Sequence, residues 1–123
     1  MSDATVLLRE LYESYQRRDW NAATELLHPD ATLDMPATRE RLTGRDAVIG
    51  FQRDYPEPWG DLAVLRVLGA TDEACAEVEI VGPDGTFRMA AFWRAEAGLL
   101  RDGIEYWVTV GGEQPPPGRA PTY

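Results

Sequence analysis

A chain of 123 residues can build one domain with a proper core and is too short for two. Its formal net charge of −9 opposes binding to nucleic-acid phosphates or anionic lipid, and no run reaches the roughly 18 to 20 apolar residues that cross a bilayer. All twelve basic residues are arginine, which excludes Schiff-base chemistry through lysine, while one cysteine (Cys75) and one histidine (His28) exclude an internal disulfide and a Cys/His zinc site.

No metal is expected beyond magnesium held weakly by carboxylates, and no cofactor is expected. The first residues, Met1 to Thr5, carry no basic region followed by an apolar stretch and a cleavage site, so a cytoplasmic location is the expectation.

From Ser2 to about Arg17, apolar residues fall at Leu7, Leu8, Leu11, Tyr12 and Tyr15, the spacing of one helix face. Asp19 stands where an N-cap belongs, and Trp20, Ala23 and Leu27 predict a second, short helix that ends before Pro29, with His28 closing it. Ala31 to Met35 alternates as a half-buried strand does, and Pro36 ends it. Thr43-Gly44-Arg45-Asp46 reads as a capping box with Asp in place of Glu, opening a third helix through Val48, Phe51 and Tyr55 to Pro56.

Four strand-like runs follow: Leu62 to Leu68, Ala74 to Val81, Thr86 to Ala95 and Leu99 to Thr109. The turns between them include Gly82-Pro83-Asp84-Gly85 and Ala97-Gly98. Short connections predict an antiparallel meander, and helices first with strands afterwards predict an α+β fold. The expected domain is 1–110. The tail 111–123, with Pro115-Pro116-Pro117, cannot extend the sheet.

Several strings carry a family resemblance: Arg18-Asp19-Trp20, Leu27-His28-Pro29-Asp30-Ala31, Thr43-Gly44-Arg45-Asp46-Ala47-Val48 and Gly103-Ile104-Glu105-Tyr106-Trp107-Val108. With the order of elements, they resemble the nuclear-transport-factor-2-like superfamily and its SnoaL-like domains over about Ala4 to Val110. The resemblance implies a cone-shaped, curved antiparallel sheet wrapped around three N-terminal helices with one central pocket. It does not choose among isomerases, cyclases, epoxide hydrolases and plain binding modules.

The ketosteroid isomerase branch would need its tyrosine and two acids at Leu11, Met35 and Ala90, and all three groups are missing. Tyr12 and Asp34 stand one residue away, which points them elsewhere. The limonene epoxide hydrolase branch keeps its arginine at Arg88, loses the next acid at Ala90 and has Glu105 at its last-strand acid. SnoaL-like cyclases also use an acid on that strand, but their late-strand histidine is missing.

Period-two alternation groups Gly103, Glu105 and Trp107 on one strand face and Arg88, Ala90 and Phe92 on one face of the strand before it. The resemblance implies that these faces line the pocket. On this reading Glu105 is the general acid or base and Arg88 its electrostatic partner. A structural ion pair between them is the competing reading.

Tyr15, Trp20, Met35, Phe51, Tyr55, Trp59, Phe92 and Trp107 are the expected substrate-binding residues, although aromatics at helical spacing also build cores. Glu77 and Glu79 share a strand face that is expected to meet solvent or a second subunit. Phe87, Met89, Ala91 and Trp93 are left on the far face of their strand, which predicts cover by a homodimer.

The expected function is cofactor-independent acid–base catalysis on a small hydrophobic or cyclic organic molecule. The alternatives are a non-catalytic binding module for such a ligand and an accessory subunit that binds another protein.

Overall fold

A computed structural model describes residues 3–56 and 58–123. Helix α1 (Ala4–Arg17) begins where the Asp3 carboxylate accepts from the Val6 N–H. It ends at Arg18 in a left-handed conformation, whose N–H reaches the Ser14 and Tyr15 carbonyls. Its buried face holds the five apolar positions expected from the spacing, together with Ala4 and Ser14. Helix α2 (Trp20–Glu25) is capped by Asp19 through the Ala22 N–H.

Strand β1 (Leu27–Met35) begins earlier than its alternation suggests. Leu27 belongs to this strand rather than to the second helix, and His28 does not close that helix: its Nδ1 accepts from the Asp30 N–H within the strand. A short strand β2 (Glu40–Thr43) was not foreseen. Helix α3 (Arg45–Arg53) starts at Gly44 rather than at a Thr43–Asp46 capping box. Gly44 has φ 93° and provides no side-chain cap, so its value is the left-handed entry that a residue with a Cβ resists.

The meander follows as β3 (Asp61–Gly69), β4 (Glu73–Gly82), β5 (Gly85–Glu96) and β6 (Leu99–Thr109), within one residue of expectation at each end. No helix or strand follows Thr109, and among the described residues no helix is long and apolar enough to cross a membrane.

The six strands form one curled, unclosed sheet in the order β2-β1-β6-β5-β4-β3. It is mixed rather than purely antiparallel, because β6 returns beside β1 in the parallel sense, with Leu33 opposite Gly103. Helix α1 packs against β3 and β4 inside the curl, and α3 packs against β1. The fold is α+β, as the element order predicts.

Register decides which strand face is inward. Ala91 lies opposite Glu105, Met89 opposite Trp107 and Trp93 opposite Gly103. Directly opposed residues project to the same side. The inner face of β5 is therefore Met89, Ala91 and Trp93, each at most 2% exposed, with Phe87 partly buried beside them. This corrects the expectation that these four need an external partner. Arg88, Ala90 and Phe92 instead share the outer face with Val108, Tyr106 and Ile104.

Candidate functional site

Glu105 is the one acidic side chain in the buried core among the described residues, with 3% of its surface exposed. Two aromatic residues hold it, and a third braces one of them. Tyr12 Oη on α1 donates to Glu105 Oε2 at 2.7 Å, and Trp107 Nε1 donates to Oε1 at 3.0 Å. Trp93 Nε1 on β5 donates in turn to Tyr12 Oη at 3.1 Å.

The chain Trp93 to Tyr12 to Glu105, closed by Trp107, satisfies every polar atom when the carboxyl is ionised, since both oxygens then act as acceptors. Burial works in the opposite direction. It pushes the Glu105 carboxyl above its ordinary value, against the downward pull of the Tyr12 and Trp107 hydrogen bonds. Burial, then the neighbouring Glu105 charge, pushes the Tyr12 hydroxyl well above the ordinary tyrosine range, and Tyr15 is raised by the same causes.

Local packing explains the arrangement. Gly103 leaves space for Trp93: a Cβ there would fall 2.4 Å from the indole. The indole can therefore lie against β6 and reach Tyr12. Tyr12 meets Tyr15 edge to face at 5.7 Å, and Tyr15 meets Trp20 at the same centroid distance.

Beside this network lies a cleft of about 320 Å³ between α3, the β1–β2 turn and the ends of β4 to β6. Met35, Phe51, Tyr55, Trp59 and Trp107, all expected in a pocket, line it. Trp107 belongs to both features: its ring faces the cleft while its N–H holds Glu105. Trp59 is seated by a hydrogen bond from Nε1 to the Gln52 carbonyl at 3.2 Å, and the Arg18 guanidinium lies 3.5 Å from its ring centroid.

Other expected members are elsewhere. Tyr15 and Trp20 pack in or against the core and are not among the cleft-lining residues. Phe92 is on the outer face, 48% exposed, and Arg88 is there too. Arg88 Nε meets Glu79 Oε2 at 2.7 Å and Nη1 meets Glu77 Oε2 at 3.8 Å, while Arg66 Nε reaches Glu77 Oε1 at 3.1 Å. The expected Glu105–Arg88 partnership is thus corrected, because opposite strand faces separate the two side chains. Glu77 and Glu79 do lie on a solvent-facing surface.

Sequence reasoning missed Tyr12 and Trp93 as partners of Glu105. The signal for Trp93 was available: Gly103 on the glutamate's face is a vacancy that a large residue on the next strand fills. For Tyr12 the signal was its place in the buried stripe of α1.

The model of the SnoaL-like domain family matches residues 8–103. No curated protein matches the sequence. A Kribbella flavida crystal structure proposed to be a ketosteroid isomerase is 28% identical, with a TM-score of 0.84 over 96% of this chain and 90% of its own. A Burkholderia xenovorans NTF-2 like protein of unknown function is 19% identical, with a TM-score of 0.78 over 94% and 85%. An LEH-like epoxide hydrolase from M. tuberculosis is 13% identical, with a TM-score of 0.71 over 85% and 82%. The last two are similar in fold.

Proposed function

The chain belongs to the SnoaL-like domain family, and from that premise we propose that it is a cofactor-independent enzyme that moves a proton on a small, largely apolar, ring-sized molecule bound in the α3 cleft. Glu105 is the proton-transfer group. The observation that carries this reading is a buried carboxyl with no arginine partner and raised proton affinity, one indole away from an aromatic cleft. Such a group is costly to bury and adds little to stability compared with an apolar side chain, so a chemical role accounts for it best.

Access to Glu105 requires Trp107 to turn aside, which breaks its hydrogen bond to Oε1 and frees that oxygen to take a proton from the substrate carbon. The test uses 2-tetralone, a bicyclic ketone with acidic α-hydrogens, in deuterium oxide. The wild-type protein is expected to accelerate exchange of those hydrogens, and Glu105→Gln to reduce the acceleration at least about a hundredfold while still binding the ketone. Equal exchange rates in the two proteins would overturn the role of Glu105.

The second reading is a binding module without turnover. It is favoured by the fact that both Glu105 oxygens already accept hydrogen bonds from the protein. Its signature is ketone binding with no exchange above the background rate.

Independently of which reading holds, we propose a homodimer through the outer sheet face. Phe92, Tyr106 and Val108 expose 48%, 47% and 59% of their surface there, and Arg88 and Arg66 have their charge matched by Glu79 and Glu77. Light scattering is expected to return twice the chain mass of 13.7 kDa, and a monomer at micromolar concentration would contradict it.

A further inference from the structure

The cleft has a one-sided chemistry. Its walls carry five aromatic rings, from Phe51, Tyr55, Trp59, Phe87 and Trp107. Its charged lining residues are Glu40 and Asp84, both carboxylates, and no arginine lines it among the described residues. Glu40 comes from the first residue of β2 and Asp84 from the β4–β5 turn, so two separate segments bring acids to the same opening.

One of the rings, Trp107, is prepared for a cation, and a second, Trp59, already has a cation on its face. The Trp107 N–H donates to the Glu105 carboxyl, and a hydrogen bond to a carboxylate pushes electron density into the indole and strengthens its negative face. Trp59 already carries a guanidinium: Arg18 stacks on it at 3.5 Å from the centroid, held in place by a 2.7 Å bond from Nη2 to the Gly60 carbonyl. Arg18 is not a lining residue, so it braces this wall from outside the cleft.

Glu40 also lines a neighbouring depression that holds Arg39 and Arg41, neither of which lines the cleft. Arg41 is held there by Asp34 through a two-pronged contact at 2.6 and 2.9 Å. An anionic ligand would meet Glu40 and Asp84 with no countercharge from the lining, on a chain whose net charge is −9.

We propose that the cleft selects a ligand that joins an apolar, ring-sized body to a protonated or quaternary amine, with the body against the aromatic walls and the cation toward the Glu40 and Asp84 opening. This rests on the reading of the α3 cleft as the ligand site and specifies the substrate class.

Calorimetric titration with three probes of one shape tests it: 1-naphthylmethylamine, 1-naphthalenemethanol and 1-naphthoate at pH 7. The amine is expected to bind about tenfold more tightly than the alcohol, with the carboxylate weakest, and the preference is expected to shrink as salt is raised. The double variant Glu40→Gln, Asp84→Asn is expected to weaken the amine about threefold and to leave the alcohol unchanged. If amine and alcohol bind alike, or both weaken equally in the variant, the amine proposal is overturned and the cleft reading stands. Absence of binding by all three overturns both.

Discussion

On the outer face of β5, Arg88 meets Glu79 and Glu77 in contact with water; on the inner face of the neighbouring strand, Glu105 meets only the neutral donors of Tyr12 and Trp107. The outer charges are compensated and screened. The inner one is neither, and its proton affinity rises because burial penalises the ionised form. Glutamates on opposite faces of one sheet therefore play opposite parts, and the difference comes from register rather than from residue type.

Changes on the inner face should cost far more than changes on the outer one. The largest effect is expected from Gly103→Val, which drives a side chain into the Trp93 ring 2.4 Å from the glycine's Cβ position. A loss of about 3 kcal/mol or more in urea denaturation is expected, since neither the strand backbone nor the buried indole can move freely. Tyr12→Phe comes next. It removes the hydroxyl between Glu105 and Trp93 and leaves a buried acceptor and a buried donor unpaired, for about 1–3 kcal/mol in the same measurement.

A pH series sharpens the comparison without changing packing much. The folded-state proton affinity of Glu105 is raised, so the stability linked to this group is fully present below its ordinary value of 4.5 and is lost as pH rises through the folded value. Wild-type stability is expected to fall relative to Glu105→Gln across that window, and parallel curves for the two proteins would contradict the raised affinity. Arg88→Ala should have the smallest effect, below about 1 kcal/mol, because it breaks exposed ion pairs.

Much of this fold was legible because its elements carry strong periodicities. The stripe Leu7, Leu8, Leu11, Tyr12 and Tyr15 gave helix α1, and the four runs from Leu62 to Thr109 gave the meander. Strand β2 was hidden because Glu40-Arg41-Leu42-Thr43 has too little apolar content to stand apart from a loop, and pairing with β1 is what makes it a strand. Leu27 was ambiguous: it fits the α2 stripe by spacing and the β1 face by alternation, and its pairing with Leu100 resolves it.

The site was legible in part. Glu105 was marked by the family resemblance, and the rings of Trp107, Phe51, Tyr55 and Trp59 by their aromatic character and place in the chain. The partnership of Arg88 was misread because both faces of β5 are rich in apolar residues, Met89 and Trp93 on one, Ala90 and Phe92 on the other. Alternation separates the two sets but does not say which is inside. Only the pairing of Ala91 with Glu105 does that.

Titration of the Glu105 carboxyl by carbon-13 NMR, in the wild type and in Arg88→Ala, tests the inner-face account most directly. The account predicts a midpoint above the ordinary glutamate value of 4.5, unchanged by loss of the arginine across the sheet. A midpoint below that value, or one that moves when Arg88 is removed, would contradict it.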